Sequence, residues 1–169
     1  MNIQFRLALA SEIPQIWNIL QQAIERRKID GSNQWQNGYP NPESIRQDIA
    51  KNVGYVLTEG EQVIAYGAVL INDEPAYADI IGKWLTNDDF VVVHRVAIAE
   101  THLGKGLIQK MFAYIEDFAR ENNIYSIKVD TNFDNQAMLR IMEKLEYSYC
   151  GEVSMGGSPR KAFEKVLEA

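Results

Sequence analysis

The chain is poor in cysteine, histidine and long apolar runs, and each shortage excludes a class of function. Cys150 is the single cysteine among 169 residues, so a disulfide within the chain is excluded and a thiolate metal site is disfavoured. His94 and His102 are the two histidines, and no carboxylate cluster frames them, so no metal is expected. No apolar run approaches the ~18 residues that a membrane span needs. The sequence therefore predicts a soluble protein of a reducing cytoplasm, with no membrane partner.

Positive charge is scarce as well. The formal net charge is -6, and the one basic cluster, Glu25-Arg26-Arg27-Lys28, is interpreted as the solvated end of a helix. An acidic chain of this kind is a poor ligand for phosphate backbones, so no nucleic-acid partner is expected. Hydrophobic residues make up 46% of the chain and charged residues 24%, and the length suits one globular domain over residues 1–169.

Apolar periodicity predicts helices and strands in alternation along the whole chain. Strands are predicted at residues 2–9, 55–57, 63–71, 90–98, 125–131, 147–153 and 162–167. Helices are predicted from an N-cap at Ser11 to about residue 28, around Ile45 and Ile49, within 77–85, from 107 to about 119, and from an N-cap at Asp134 to 145. This order favours a mixed α/β fold, with helices on both faces of one central mixed sheet.

Residues 91–107, VVVHRVAIAETHLGKGL, are the most informative stretch. A β-branched run ends in a short polar connection, Gly104-Lys105-Gly106 follows, and a helical pattern begins at once. The first amides of a helix lack partners within it and lie at the positive end of the helix dipole. The stretch therefore predicts a site for an anion such as a pyrophosphate. The alternative is a tight junction between strand and helix that binds nothing.

Two segments resemble motifs of the GNAT superfamily of acetyl-CoA-dependent N-acyltransferases. Residues 96–106, VAIAETHLGKG, are similar to the acetyl-CoA signature of that family, and residues 130–138, DTNFDNQAM, to its second signature. The predicted element order matches the family over nearly the whole chain. The resemblance implies a GNAT-like mixed, mostly antiparallel sheet of about six to seven strands. It also implies transfer of the acetyl group of acetyl-CoA to an amine.

The resemblance also implies which residues hold acetyl-CoA. The pantetheine arm would bond the backbone of one strand like an extra strand, in a gap beside the strand at 125–131, and the pyrophosphate would rest on the amides of the turn. Asn135 would hydrogen-bond the arm from the second signature. The implied contacts are Val96, Ala97, Ile98, Leu103, Gly104, Lys105, Gly106, Leu107, Ile108 and Asn135.

The chain departs from the family pattern at several points. The signature commonly reads Arg or Gln, two residues, Gly, one residue, then Gly or Ala, and the aligned residues here are Leu103, Gly106 and Ile108. Leu103 has no side-chain donor for a phosphate, while the backbone amides of the turn remain. A tyrosine that acts as general acid in the family is replaced by Met142, which has no proton to donate.

Three residues are candidates for proton transfer. His94 on the central strand is the best base, because an imidazole titrates near neutral pH, and the alternative is a hydrogen-bonded core histidine. Asp130 is a second candidate base, with a role in bonding turn amides as the favoured alternative. Tyr147, like Tyr149, is a candidate replacement for the missing acid, although both also suit strand packing, and solvent is a further proton source.

The acceptor pocket is expected from residues 31–41 and 152–160, by resemblance to the family. Trp35 and Tyr39, with Trp84 from the long connection, are predicted to form an aromatic wall for the substrate or its cationic group. The alternative is that these aromatics anchor loops. The acceptor is expected to be a small-molecule or peptide amine, and proteins of this kind are frequently homodimers.

Two other functions compete with the acetyltransferase. A non-catalytic sensor or assembly module that binds acetyl-CoA is favoured by the missing tyrosine and by the altered phosphate signature. A dinucleotide-binding oxidoreductase is disfavoured, because Gly104 and Gly106 are followed by Gln109 and so fail the G-x-G-x-x-G pattern.

Overall fold

Eight β-strands and four α-helices make up the computed structural model, which describes residues 2–169. The strands are β1 Ile3–Leu7, β2 Gly54–Glu59, β3 Gln62–Ile71, β4 Ile81–Gly82, β5 Val91–Ile98, β6 Ser126–Thr131, β7 Ser148–Met155 and β8 Ser158–Val166. The helices are α1 Ile13–Ile29, α2 Pro42–Ala50, α3 Leu107–Glu121 and α4 Gln136–Lys144. None of these helices is both long enough and apolar enough to cross a membrane.

The strands form one sheet in the order β1-β2-β3-β5-β6-β8-β7-β4. The pairing of β5 with β6 is parallel, whereas β1 with β2, β2 with β3, β6 with β8, β8 with β7 and β7 with β4 are antiparallel. This mixed, mostly antiparallel sheet confirms the predicted fold class. The eighth strand is β4, whose two residues are too few for a period to be visible in the sequence.

Two compact units emerge from the contacts within the chain. Among the described residues, the first unit comprises 2–69 and 94–115, and the second comprises 70–93 and 116–169. The prediction of one domain over the whole chain is not tested by this division and stays a prediction.

The first unit has a core beneath α1. Ile16 and Leu20, on the predicted apolar face of α1, are fully buried, and Ile45 of α2 packs with them. β2 and β3 form the predicted hairpin, whose tight turn contains Gly60 at a φ of 60°, a value that suits glycine. The helical period at 3.6 residues and the strand period at two therefore located these elements correctly.

The second unit contains β6, β8, β7 and β4 as neighbours. Residues 77–85 do not form the predicted short helix: a 3-10 turn ends at Asp79, β4 follows, and Trp84 lies in an irregular segment. Gly82 explains the difference, because its backbone lies against β7 so closely that an added Cβ would come within 2.2 Å of the Cys150 carbonyl oxygen. Pairing with β7 thus prevails over local periodicity.

Both predicted N-caps are wrong by one position. Glu12, and not Ser11, is the N-cap residue of α1, and its side chain makes no capping hydrogen bond to that helix. Its carboxylate instead accepts from the Leu9 amide, at the start of the 3-10 turn Ala10–Glu12. Asn135, and not Asp134, caps α4 by accepting from the Met138 amide at 3.1 Å. Asn and Asp cap helices about equally well, so the residue type alone did not distinguish these neighbours.

The last hairpin is longer than predicted. β8 begins at Ser158, four residues before the expected start, because Met155 pairs with Ser158 across a turn of Gly156 and Gly157. Both glycines have positive φ values, 59° and 83°. Pro159 stands inside this strand, where the sequence favoured a turn.

Candidate functional site

The carboxyl end of β5 leads into a turn that contains two glycines, Gly104 and Gly106. Val96, Ala97 and Ile98 are buried, and the Ala99 amide donates to the Ile64 carbonyl of β3. A 3-10 turn, Glu100–His102, follows. The strand is thus fixed by its neighbour in the first unit up to the point where the polar connection begins.

Gly104 and Gly106 have φ values of 75° and 73°, which side chains larger than glycine rarely adopt. An added Cβ at Gly104 would meet no atom within 4 Å. The turn therefore requires glycine for its backbone path rather than for lack of space. α3 begins directly afterwards at Leu107, so this path delivers the chain to a helix N-terminus of the kind that binds anions.

The side chains of this turn divide into an outer and an inner set. Leu103 is 43% exposed and Lys105 is exposed, whereas Leu107 is buried and Ile108 is half-buried. Lys105 gives the turn an exposed positive charge, and Ile108 is partly shielded from solvent. The predicted phosphate-binding amides thus lie on an exposed turn that is anchored by Leu107.

Arg26 of α1 contacts the end of β5, which corrects the interpretation of its basic cluster as a solvated helix end. Its Nη2 donates to the Ile98 carbonyl at 3.0 Å, and burial lowers the pKa of Arg26. One turn earlier, Gln22 Oε1 accepts from the Glu100 amide at 3.0 Å. α1 therefore holds the backbone of the predicted acetyl-CoA strand in place.

A buried ionic network lies one residue before that strand segment. Arg95 binds the Asp48 carboxylate of α2 with two hydrogen bonds, Nε to Oδ2 at 2.9 Å and Nη2 to Oδ1 at 2.6 Å. Tyr66 of β3 donates to the same Oδ2 at 2.5 Å, and Arg95 Nη1 donates to the Tyr39 hydroxyl oxygen at 2.5 Å. Four side chains from four segments of the first unit are thus joined.

Electrostatics stabilise this network in its charged form. Burial alone would lower the pKa of Arg95, but the Asp48 carboxylate and the Tyr39 oxygen raise it above its usual value. Burial, reinforced by Asp48, also raises the pKa of Tyr66. Arg95 therefore stays a cation and Tyr66 a neutral donor at any physiological pH.

Sequence reasoning missed Asp48 and Arg95. The available signal was Asp48 itself, which stands three residues after Ile45 and directly before Ile49, on the apolar stripe of a short helix. A carboxylate on a buried stripe is costly unless it is paired, so it predicts a buried cation somewhere in the fold. Nothing in the sequence identified that cation as Arg95.

The three predicted substrate aromatics have different surroundings. Trp35 is only 7% exposed, and the Arg27 guanidinium lies 3.7 Å from its ring centre, as suits a loop anchor. Tyr39 is 41% exposed. Trp84 belongs to the second unit, where its Nε1 donates to the Tyr77 carbonyl at 2.9 Å and Lys128 lies 4.3 Å from its ring. Tyr39 is thus the member of the set that faces solvent most fully.

Asp130, the second candidate base, is engaged inside the second unit. Its Oδ1 accepts from the Tyr77 hydroxyl at 2.5 Å, and Arg160 Nη1 lies 3.6 Å from its Oδ2. Burial, together with the Asp130 charge, raises the pKa of Tyr77. These contacts favour the structural alternative for Asp130.

The remaining predicted residues are placed as follows. His94 is half-buried on β5, next to Arg95. Tyr147 is buried just before β7, and this burial raises its pKa, which makes it a weaker acid. Met142, at the position of the tyrosine acid, is fully buried in α4. Asn135 is buried at the start of α4, where it acts as the helix cap.

Comparison with known proteins identifies the family. The model of the acetyltransferase (GNAT) family matches residues 16–147. The chain belongs to the GNAT acetyltransferase family. Family membership indicates acyltransferase activity, and among residues 2–169 no group of three metal-ligating side chains accompanies it.

Solved structures agree with this assignment. A GNAT-family acetyltransferase from Streptococcus agalactiae is 34% identical, with a TM-score of 0.88, over 99% of this chain and 96% of that one. A GNAT-family acetyltransferase from Listeria monocytogenes is 18% identical, with a TM-score of 0.77, over 98% and 95%. No curated protein matches the sequence.

One relative carries a ligand. The yncA protein of Salmonella typhimurium, solved with its cofactor acetyl-CoA, has a TM-score of 0.70 and 15% identity, over 100% of this chain and 96% of that one. At this identity the likeness establishes a shared GNAT fold. The contacts of acetyl-CoA with individual residues of this chain remain predictions.

Proposed function

We propose that this GNAT protein transfers the acetyl group of acetyl-CoA to a primary amine of a small molecule or peptide. The observation that carries the proposal is the turn of Gly104 and Gly106, which joins the end of β5 to the start of α3. Positive φ at both glycines presents successive amides at a helix N-terminus, and such amides bind pyrophosphate oxygens well. The buried free thiol of Cys150 suits a reducing cytoplasm, where we place the protein.

Acetyl-CoA is expected to lie along this part of the first unit. The backbone of Val96 to Ile98 pairs with the pantetheine arm, and the amides from Leu103 to Ile108 hold the pyrophosphate. The side chain of Leu103 supplies no hydrogen bond, so binding depends on the backbone amides of the turn and on Lys105. If Asn135 also contacts the arm, as predicted, its side-chain amide must bind the ligand while its oxygen accepts the capping hydrogen bond from the Met138 amide.

The reaction is direct attack within a complex of enzyme, acetyl-CoA and amine. The amine nitrogen forms a bond to the thioester carbonyl carbon, the carbon–sulfur bond breaks, and the sulfur leaves as thiolate or thiol. Most of the rate gain comes from holding the amine against the thioester and polarising its carbonyl. The protein then needs only a group that accepts the proton of the ammonium.

His94 is our choice for that base. It lies on β5 itself, two residues before Val96, in the strand that is expected to bind the arm. Asp130 is a weaker choice because Tyr77 and Arg160 already engage its carboxylate. Tyr147 is likewise a weaker acid than predicted, since burial raises its pKa. Protonation of the thiolate by solvent is consistent with Met142 at the tyrosine position.

A sensor or assembly module that binds acetyl-CoA without turnover is the second candidate. One observation favours it. Met142 of α4 is fully buried and has no proton to donate at the position of the family tyrosine. This candidate shares the acetyl-CoA site with the enzyme and differs from it in catalysis alone.

Thiol release separates the two candidates. Purified protein is mixed with acetyl-CoA and, in turn, with polyamines, amino acids, aminoglycosides and peptides with free N-termini. Thiol release that depends on one amine class supports the enzyme, whereas acetyl-CoA binding without release from any class supports the sensor. His94→Ala is the matched variant: a base role predicts a loss of about 100-fold or more in kcat/KM with acetyl-CoA affinity retained. An unchanged pH–rate profile in this variant removes His94 as the base.

A further inference from the structure

The hydroxyl of Tyr39 is a donor whose direction is set by its neighbour. Within residues 2–169 its oxygen has one hydrogen-bond partner, Arg95 Nη1, from which it accepts at 2.5 Å. A phenol has a single hydrogen, and here the oxygen uses a lone pair on the guanidinium. The hydrogen is therefore left to point away from Arg95. Since the tyrosine is 41% exposed, a ligand can reach it.

Arg95 is itself held firmly. The Asp48 carboxylate receives three hydrogen bonds, two from Arg95 and one from the Tyr66 hydroxyl, and Asp48 and Tyr66 are both buried. A bidentate pair of arginine and carboxylate fixes both distance and orientation. The charges of Asp48 and Arg95 cancel. The network thus holds the neutral Tyr39 hydroxyl in a fixed orientation, as a hydrogen-bond donor at its exposed end.

The backbone at Arg95 ties this donor to the proposed acetyl-CoA strand. Arg95 has a φ of 55°, in the left-handed region that is unfavourable for a residue with a side chain. Such strain persists only where surrounding contacts hold it, and here the pair with Asp48 does so. Val96, the first residue of the strand segment, follows immediately. Tyr39 is therefore linked, through the Arg95 side chain, to the residue that directly precedes the segment expected to bind the thioester arm.

We propose that the Tyr39 hydroxyl donates a hydrogen bond to the acceptor substrate, which must carry an oxygen acceptor close to its amine. Amino acids and peptides have such an oxygen, as a carboxylate or a carbonyl, whereas linear polyamines have none. Arg95 is the positioning residue that aims the hydroxyl. This assignment rests on the proposed function, because it narrows the amine that the enzyme acetylates.

Matched acceptors test the assignment. The wild type and Tyr39→Phe are assayed by thiol release with two triplets: alanine, alaninamide and ethylamine, and phenylalanine, phenylalaninamide and phenethylamine. Because the acceptors differ in amine pKa, kcat/KM is calculated on the concentration of unprotonated amine. In the wild type this kcat/KM is expected to be about tenfold higher for the oxygen-bearing members than for the bare amine of a triplet. Tyr39→Phe is expected to bring the ratio of oxygen-bearing to bare amine to within about twofold of one. A difference in kcat/KM between the acid and the amide of a triplet shows whether the hydroxyl binds a carboxylate or a carbonyl oxygen.

Arg95→Lys distinguishes aiming from simple support of the fold. If Arg95 acts through the hydroxyl, this variant lowers the ratio of oxygen-bearing to bare amine as Tyr39→Phe does, and the double variant lowers it no further. Loss of stability alone would reduce all rates together and leave the ratio unchanged. Tyr125→Phe, an exposed tyrosine of the second unit, is the control and keeps the wild-type ratio.

Failure of this inference differs from failure of the proposed function. A wild-type enzyme that acetylates bare amines as well as their oxygen-bearing partners overturns the inference alone, as does an unchanged ratio in Tyr39→Phe. If the wild type acetylates no amine, binding decides: N-acetylphenylalanine is titrated into each protein with CoA present. At least tenfold weaker binding by Tyr39→Phe supports the hydroxyl contact, and equal affinity or no binding to the wild type overturns it.

Discussion

Asp48 and Asp130 are two buried aspartates with similar partners, one in each compact unit. Each accepts a hydrogen bond of 2.5 Å from a buried tyrosine, Tyr66 for Asp48 and Tyr77 for Asp130. Each also faces an arginine. The separation is 2.6 Å with two hydrogen bonds for Asp48, and 3.6 Å for Asp130 and Arg160.

The two networks differ in where they lead. The Asp48 network continues through Arg95 of β5 to Tyr39, which is 41% exposed. The contacts of Asp130 join β6, β8 and the segment before β4, all inside the second unit. An aspartate beside tyrosine and arginine is therefore not by itself a sign of catalysis. The network of Asp48, Arg95 and Tyr39, which we propose to be functional, differs from the other in having an exposed end.

Glu164 of β8 shows the enclosed type in its clearest form. It is fully buried, and its carboxylate accepts from the Ser126 and Thr86 hydroxyls at 2.7 and 2.6 Å and from the Leu85 amide at 2.8 Å. These bonds fasten the long connection before β5 onto the sheet. Its role is to hold that segment in place.

Removing the enclosed carboxylate should have the largest effect. Glu164→Ala leaves two hydroxyls and an amide without their partner in the core and opens a cavity, so the free energy of unfolding should fall by about 4 kcal/mol. Urea unfolding followed by circular dichroism measures it. Glu168→Ala, an exposed neighbour, should change stability by less than about 0.5 kcal/mol. A loss below 1 kcal/mol in Glu164→Ala would contradict the enclosed role.

Asp130→Asn tests whether the second network is structural. Asparagine can still accept from Tyr77 but loses the charge facing Arg160, so the free energy of unfolding should fall by about 2 kcal/mol. We expect kcat/KM per folded enzyme within threefold of the wild type. A loss of about 100-fold or more at constant stability would instead identify Asp130 as the base and reverse the comparison.

Arg95→Lys tests the first network at its centre. Lysine keeps the charge but cannot bond both carboxylate oxygens and Tyr39 at once, so the free energy of unfolding should fall by about 1 kcal/mol. The KM for an oxygen-bearing amine should rise, while acetyl-CoA affinity changes little. Arg46→Lys is the matched control, because Arg46 pairs with Glu43 at the surface. Equal effects of Arg95→Lys and Arg46→Lys would contradict the distinction between the buried network and a surface ion pair.

Glu12→Gln is expected to have the smallest effect. The Arg6 guanidinium, 2.6 Å away, lowers the pKa of Glu12 against the opposing effect of burial. Because the pKa of Glu12 is lower in the folded than in the unfolded protein, where it is about 4.3, the ionised carboxylate stabilises the fold above pH 4.3. This stabilisation is lost as the pH falls through the pKa of the folded state. Since Arg6 is a third exposed and screened, the substitution should cost about 0.5 kcal/mol at pH 7.

The cost of Glu12→Gln should shrink as pH falls below the unfolded value, because the lowered pKa of the folded wild-type carboxyl contributes less stability there. Urea midpoints of both proteins between pH 7 and pH 3 measure this convergence. Glu143→Gln, at an exposed position, should track the wild type throughout. A difference that persists unchanged at pH 3 would show that the ion pair is not its source.

Local patterns predicted the helices and the long strands well. The period of α3 located it from Leu107 onward, and the glycine turn before it was recognised from three residues. These features are local, since periodicity and φ preference act over a few positions. The two-residue β4 and the extension of β8 to Ser158 were not predictable in this way, because pairing with β7 creates them.

The residues of the candidate site likewise divide into those that are close in sequence and those that only the fold brings together. The turn from Leu103 to Ile108 is contiguous in sequence, so a motif could reveal it. The pair of Asp48 and Arg95 is separated by 47 positions and forms only when α2 meets β5. Trp35 looked like a pocket residue by type, yet its burial under Arg27 depends on the path of the whole loop. Residue type and spacing do not contain that path.

Titration of acetyl-CoA into the purified protein, followed by calorimetry, tests the central claim most directly. The account predicts micromolar binding of acetyl-CoA, no binding of NADH, and at least tenfold weaker acetyl-CoA binding by Gly106→Val, since valine does not tolerate the φ of 73° at that turn. Absence of acetyl-CoA binding to the wild type, or equal binding of NADH, would contradict the account.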